Sequence, residues 1–143
     1  MKFPYLKLLL EQKSDFFGSS IAKPIIPIKI SNQNNTVKYA ALIDSGADFC
    51  IFDAEVGEYI GLEIRSGKRE IFGGIQESGN AEAFIHEVTI NMGGRDYKIK
   101  AGFSYDIAKH GFGVLGQRGF FDVFIVKFDL QKEEVELIER KAK

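Results

Sequence analysis

Apolar and polar residues alternate in short runs along most of the chain, the period of half-buried β-strands rather than helices. Pro24–Ile30 predicts a strand whose prolines suit an edge or a strand start, and Ser31–Thr36 a polar turn. Val37–Ile43 predicts a second strand running apolar into Asp44, and Phe49–Phe52 a short third. Lys68–Phe72 and Ala83–Ile90 flank the stretch 73–79, a hairpin with a mobile tip. Asn91-Met92-Gly93-Gly94 predicts a tight turn joining Phe84–Ile90 to Tyr97–Phe103. Val123–Asp129 and Glu134–Ile138 form a last pair around Leu130–Glu133.

One segment has helical spacing. Asp53–Ile60 predicts about two turns, with Asp53 as N-cap, Val56, Tyr59 and Ile60 on one face and Gly61 ending it. Many short strands with frequent turns, and one or two short helices, indicate an all-β barrel or sandwich in a single domain spanning 1–143. Residues 1–22 read as an N-terminal arm, in which Phe16 and Phe17 would be exposed, and 139–143 as a charged tail.

Composition narrows the partners. Of 143 residues, 45% are hydrophobic and 27% charged, enough apolar material for one core. The formal net charge of -1 provides no attraction to nucleic acid or an anionic membrane, and Lys98 and Lys100 alternate along a predicted strand as a solvated face. The lone cysteine, Cys50, lies between Phe49 and Ile51, where a buried, inert thiol is expected. No intrachain disulfide can form, which suits a reducing compartment. The apolar patch Leu8-Leu9-Leu10 is too short for a signal-peptide core or a membrane span. The expectation is a soluble, cytoplasmic protein.

The candidate chemistry lies in Ala41-Leu42-Ile43-Asp44-Ser45-Gly46-Ala47-Asp48. An apolar strand delivers a carboxylate into a turn, Ser45 puts a hydroxyl beside it, and Gly46 lets the backbone bend and present N–H groups. Asp-Ser-Gly is also an ordinary turn sequence, and one aspartate there does little. Two brought face to face cannot both ionise, so they share a proton and supply an acid and a base together.

With its surroundings, this segment resembles the retropepsin family, the single-domain aspartic proteases of retroviruses, retroelements and bacterial relatives. Three stretches match in order. The aspartate loop is followed by Phe49-Cys50-Ile51-Phe52 and by Ile60-Gly61-Leu62, close to the family's Leu-Gly-Leu helix ending. Ile71-Phe72-Gly73-Gly74-Ile75 looks like the glycine-rich flap, although Gln76-Glu77-Ser78 departs from the viral pattern. Gly113-Val114-Leu115-Gly116, continuing to Phe121, looks like the apolar-apolar-Gly stretch and short helix that support the active-site loop. The resemblance covers roughly residues 24–138.

It implies a closed acid-protease barrel with a flap hairpin, and an obligate dimer. Asp44 would be the catalytic acid/base. Ser45 would brace the paired loop, and Gly46 would support the dyad through its backbone. Ala47 and Asp48 would line the substrate cleft. Gly73, Gly74 and Ile75 would form the flap tip, and Val114, Leu115 and Gly116 the supporting loop. No other aspartate is followed by Ser/Thr-Gly, so the second carboxylate must come from another copy, across a two-fold axis. The implied function is a homodimeric aspartic endopeptidase acting on peptides or proteins, with no metal and no cofactor. A catalytically silent peptide-binding module on the same fold is the alternative.

Other signals carry less. Gly111–Gly116 matches G-x-G-x-x-G, but nothing around it predicts the strand–turn–helix of a dinucleotide site. His86 and His110 lack metal-ligand spacing, and no histidine lies near Cys50 to activate it as a nucleophile.

Overall fold

The computed structural model describes residues 1–73, 81–107 and 111–141. Twelve strands dominate it. Strands β4 (Ile25–Asn32), β5 (Asn35–Ile43), β6 (Ile51–Asp53), β7 (Lys68–Phe72), β8 (Ala81–Met92), β9 (Arg95–Ser104) and β10 (Gly113–Leu115) form one sheet in the order β4-β5-β10-β6-β9-β8-β7. β4 also pairs with β8 through Lys29–Ser31 and Thr89–Asn91, so six of these strands close into a barrel, with β7 attached to the outside of β8. The expected all-β barrel is therefore present.

The alternation read from the sequence is the cause. Along β4, Ile26, Ile28 and Ile30 are buried, whereas Pro27 and Lys29 between them are exposed. Inside the barrel they meet Phe52, Phe84, Val88, Ile90, Ile99 and Phe103. Pro27, which has no N–H to donate, lies outside the short stretch of β4 that pairs with β8.

A second sheet, in the order β1 (Lys2–Pro4), β12 (Glu134–Glu139), β11 (Phe124–Asp129), adds Phe124, Val135 and Leu137 to the same core. β2 (Leu6–Ser14) and β3 (Gly18–Lys23) form a separate two-stranded hairpin. Residues 1–22 thus divide between a body strand and this hairpin.

Several local expectations are corrected. The polar stretch Ser31–Thr36 is mostly strand. Ser31 and Thr36 face each other with their hydroxyls 2.8 Å apart, and only Gln33 and Asn34 make the turn, Gln33 at a φ of 54°. Phe49 precedes β6 and bridges to Arg118 instead.

Helix α1 (Ala54–Tyr59) forms as expected, and Asp53 caps it by accepting from the Glu55 N–H at 2.9 Å. Of the face predicted, Ile60 is buried and Val56 packs against the core, but Tyr59 is exposed, and Ala54 and Gly57 turn inward beside them. A Cβ on Gly57 would lie 2.7 Å from both Ile64 and Phe103, so the helix packs through its smallest residues. Asp53→Ala is expected to cost about 1 kcal/mol, seen as a lower melting temperature.

Among the described residues, no helix follows Gly116. Residues 117–123 are turns, because Gly119 takes a φ of 100° and its N–H is held by the Asp122 carboxylate at 3.1 Å. The G-x-G-x-x-G segment therefore contains strand β10 and opens no helix, the wrong geometry for a dinucleotide.

Candidate functional site

Asp44 stands where β5 leaves the barrel. Its backbone N–H donates to the Leu115 carbonyl at 3.0 Å, extending the parallel pairing of Ile43 with Leu115. β10 is wedged between β5, to which it is parallel, and β6, to which it is antiparallel. The two ends of the aspartate loop are thereby held on opposite edges of one short strand.

Within the loop, the Asp44 Oδ1 accepts from the Gly46 N–H at 2.9 Å, and the Ala47 N–H donates to the Asp44 carbonyl at 3.2 Å. The first contact orients the carboxylate, and the second closes the turn beneath it. Asp44 is half-buried, Ser45, Gly46 and Asp48 are exposed, and Ala47 is partly covered.

Residues 116–118 run along the loop's inner side. The Gln117 N–H donates to the Ala47 carbonyl at 2.8 Å, the Arg118 N–H to the Asp48 carbonyl at 2.9 Å, and the Cys50 N–H to the Arg118 carbonyl at 3.1 Å. The Gln117 Nε2 donates to the Ser45 carbonyl at 2.8 Å. Gly116 is required by contact rather than by conformation. A Cβ there would lie 2.4 Å from the Phe49 carbonyl oxygen and 2.8 Å from that of Ala47. Val114 thus pairs with Leu42 and Ile51 on either side of the loop, Leu115 accepts from Asp44, and Gly116 packs against Ala47 and Phe49.

Of the expected flap residues, Gly73 directly follows β7, exposed, at a φ of 144°; Gly74 and Ile75 lie outside the described residues, as does the rest of the stretch read as a mobile tip. The Phe72 ring packs edge-on against Phe49 at 5.9 Å, which ties the base of this hairpin to the aspartate loop. On the other strand, Glu82 is gripped at both backbone groups: its N–H donates to Asp106 at 3.0 Å, and its carbonyl accepts from the buried Ser104 hydroxyl at 2.7 Å.

Gln117, Phe49 with Phe72, and Ser104 with Asp106 were given no such role from the sequence. Their partners lie between 22 and 72 residues away for the hydrogen bonds, beyond any local pattern.

Cys50 is fully buried, and burial raises its thiol to about 12. Two results are expected. Iodoacetamide should label Cys50 only after unfolding. The folded chain also keeps a proton that the unfolded chain releases from its ordinary value of 9.0, so stability is unaffected below about 9 and falls as pH rises from there toward 12. Burial raises Tyr39 to about 12 in the same sense. Thermal melts from pH 8 upward should show a shallower alkaline loss in Cys50→Ala than in wild type.

His86 contacts the Ile64 carbonyl at 2.8 Å and packs on Phe103, a structural position, and His110 lies outside the described residues. Among the described residues, no group of three or more His, Cys, Asp or Glu is placed to hold a metal, and no helix is long and apolar enough to cross a membrane.

No protein-family model matches the chain, and no curated protein does. Solved structures do. A retropepsin-like aspartic protease from Rickettsia conorii superimposes with a TM-score of 0.59 over 96% of this chain and 89% of that one, at 16% identity. EIAV protease, complexed with the inhibitor HBY-793, aligns over 66% of this chain and 82% of its own at 24% identity, with a TM-score of 0.46. With a barrel closed through β4 and β8, and an aspartate loop held by the strand between β5 and β6, this chain has a retropepsin-like fold.

Proposed function

We propose that the protein is a homodimeric aspartic endopeptidase whose two Asp44 side chains meet across a two-fold axis. The observation that carries this reading is the state of Asp44: a half-buried carboxylate, oriented by the Gly46 N–H, in an exposed Asp-Ser-Gly loop of a retropepsin-like fold. Two such carboxyls in contact share one proton. The unprotonated one takes a proton from a water as its oxygen attacks the peptide carbonyl. The protonated one gives its proton to the carbonyl oxygen, producing a gem-diol. Collapse breaks the C–N bond, with a proton delivered to the leaving nitrogen.

Ser45 and Gly46 complete the catalytic loop, the Ser45 hydroxyl bracing its counterpart across the axis. Ala47 and Asp48 line the cleft, where an extended peptide pairs its backbone as an added strand. Gly73, Gly74 and Ile75 close over it and exclude water. Val114, Leu115 and Gly116 hold the loop from behind. The reaction uses neither a metal nor an organic cofactor, and the partners are a peptide or protein substrate and a second copy, not nucleic acid or membrane.

The test is digestion of a diverse peptide mixture by the purified protein, from mildly acidic to neutral pH, read by mass spectrometry. Discrete cleavage with a side-chain preference is expected. Intact peptides throughout that range, at concentrations where sedimentation shows a dimer, would overturn the protease in favour of a peptide-binding module.

A further inference from the structure

The β2–β3 hairpin is an element the catalytic scheme does not use. Among the described residues its strands pair with each other and with no strand of the other sheets, no residue between Leu6 and Lys23 belongs to the hydrophobic core, and an exposed ion pair from Lys7 to Glu133 at 3.9 Å reaches the body. A two-stranded hairpin standing alone in water is marginally stable at best. This one is also apolar outside: Leu9 is 84% exposed, Phe16 87% and Phe17 55%, with Leu6 exposed near the base.

The tip is built rather than loose. The Ser14 hydroxyl accepts from the N–H groups of both Phe16 and Phe17 at 3.1 Å, Gly18 takes a φ of 83°, and the two rings meet edge-on at 4.8 Å. An ordered, solvent-facing aromatic pair is a poor way to end a free hairpin and a good way to contact another surface.

Its root lies beside the candidate dyad. β3 ends at Lys23, and the next residue, Pro24, accepts from the N–H of Ile43, which directly precedes Asp44, at 2.9 Å. β2 has nine residues, a reach of about 30 Å. Anything rooted one residue from Asp44 is brought close to the second chain when two Asp44 side chains meet. The strands β1 and β12, by contrast, are already paired within one chain.

We propose that the β2–β3 hairpin is a clasp that docks on a second copy of this chain through Leu9, Phe16 and Phe17. This deepens, and rests on, the dimeric reading of Asp44. The area is adequate. An aromatic side chain buries about 150–250 Å², so two clasps with their leucines supply on the order of 1,000 Å², where specific interfaces begin.

The dimer dissociation constant, measured by sedimentation equilibrium without reference to cleavage, tests this. Phe16→Ser with Phe17→Ser, and separately Leu9→Lys, alter exposed side chains only, so melting at high dilution should match wild type. Each is expected to weaken dimerisation by about a hundredfold or more. A wild-type dimer that both variants leave unchanged would overturn the clasp while sparing the protease reading. A wild-type protein that stays monomeric at high concentration would overturn it as well. A clasp-dependent dimer that cleaves no peptide would uphold this inference and sink the protease.

Discussion

Asp44→Asn is expected to lower peptide cleavage by about a thousandfold or more while leaving the fold intact. Both halves follow from the same contacts. The asparagine Oδ1 can still accept from the Gly46 N–H, as the Asp44 Oδ1 does at 2.9 Å, and the backbone bond to Leu115 is untouched, so melting should change little. What is lost is the proton. An amide can neither take one from water nor share one across the axis. A stronger form of the experiment mixes the variant with wild type. If the site needs one Asp44 from each chain, excess Asp44→Asn traps wild-type chains in mixed dimers and suppresses their activity as subunits exchange. An inactive variant that does not inhibit wild type under exchange would argue against a shared site. Full activity in the variant would remove Asp44 from the mechanism altogether.

Gly116→Ala is expected to be the most damaging small substitution, costing on the order of 3 kcal/mol and about 10 °C in melting temperature. The added methyl has nowhere to go. It would stand 2.4 Å from the Phe49 carbonyl oxygen, 2.7 Å from the Phe49 carbonyl carbon and 2.8 Å from the Ala47 carbonyl oxygen, and all three are backbone. Relief requires residues 116–118 to move off the aspartate loop, which gives up the bonds from Gln117 to Ala47 and from Arg118 to Asp48. Activity should therefore fall further than stability alone explains, because the loop that aims Asp44 is loosened. Gly18→Ala is the control. That position has a positive φ but nothing within 4 Å, so only the backbone preference is lost, about 1 kcal/mol. Equal melting of Gly116→Ala and wild type would mean that the 116–118 segment does not lie against Phe49 and Ala47.

Much of the architecture was legible because its determinants are local. Alternation marked the strands from Val37 to Ile43 and from Tyr97 to Phe103, and Gly93-Gly94 marked the turn between β8 and β9. Asp53 and Gly61 bounded helix α1. The aspartate loop could be read from its own residues, since a strand, a carboxylate, a hydroxyl and a glycine lie side by side in the chain.

The misreadings share a different cause. Ile60 and Val56 of α1 face the core as their hydrophobicity suggests, but Tyr59 does not, because the space beside Phe103 admits only Gly57. The polar run Ser31–Thr36 looked like a turn because its pairing depends on two hydroxyls meeting across the hairpin. A helix after Gly116 was expected by resemblance, but Gly119 and Asp122 favour turns.

By itself the sequence determined that the chain is all-β, where its main strands and helix run, and that Asp44 is the residue to ask about, because those properties follow from side-chain period and neighbouring residue types. Only the tertiary structure decided that β10 lies between β5 and β6, that Gln117 holds the Ser45 carbonyl, that Phe72 meets Phe49, and that the β2–β3 hairpin, rooted beside Asp44, joins no other sheet among the described residues. Those contacts join residues far apart along the chain, and close packing, which no local pattern records, selects them.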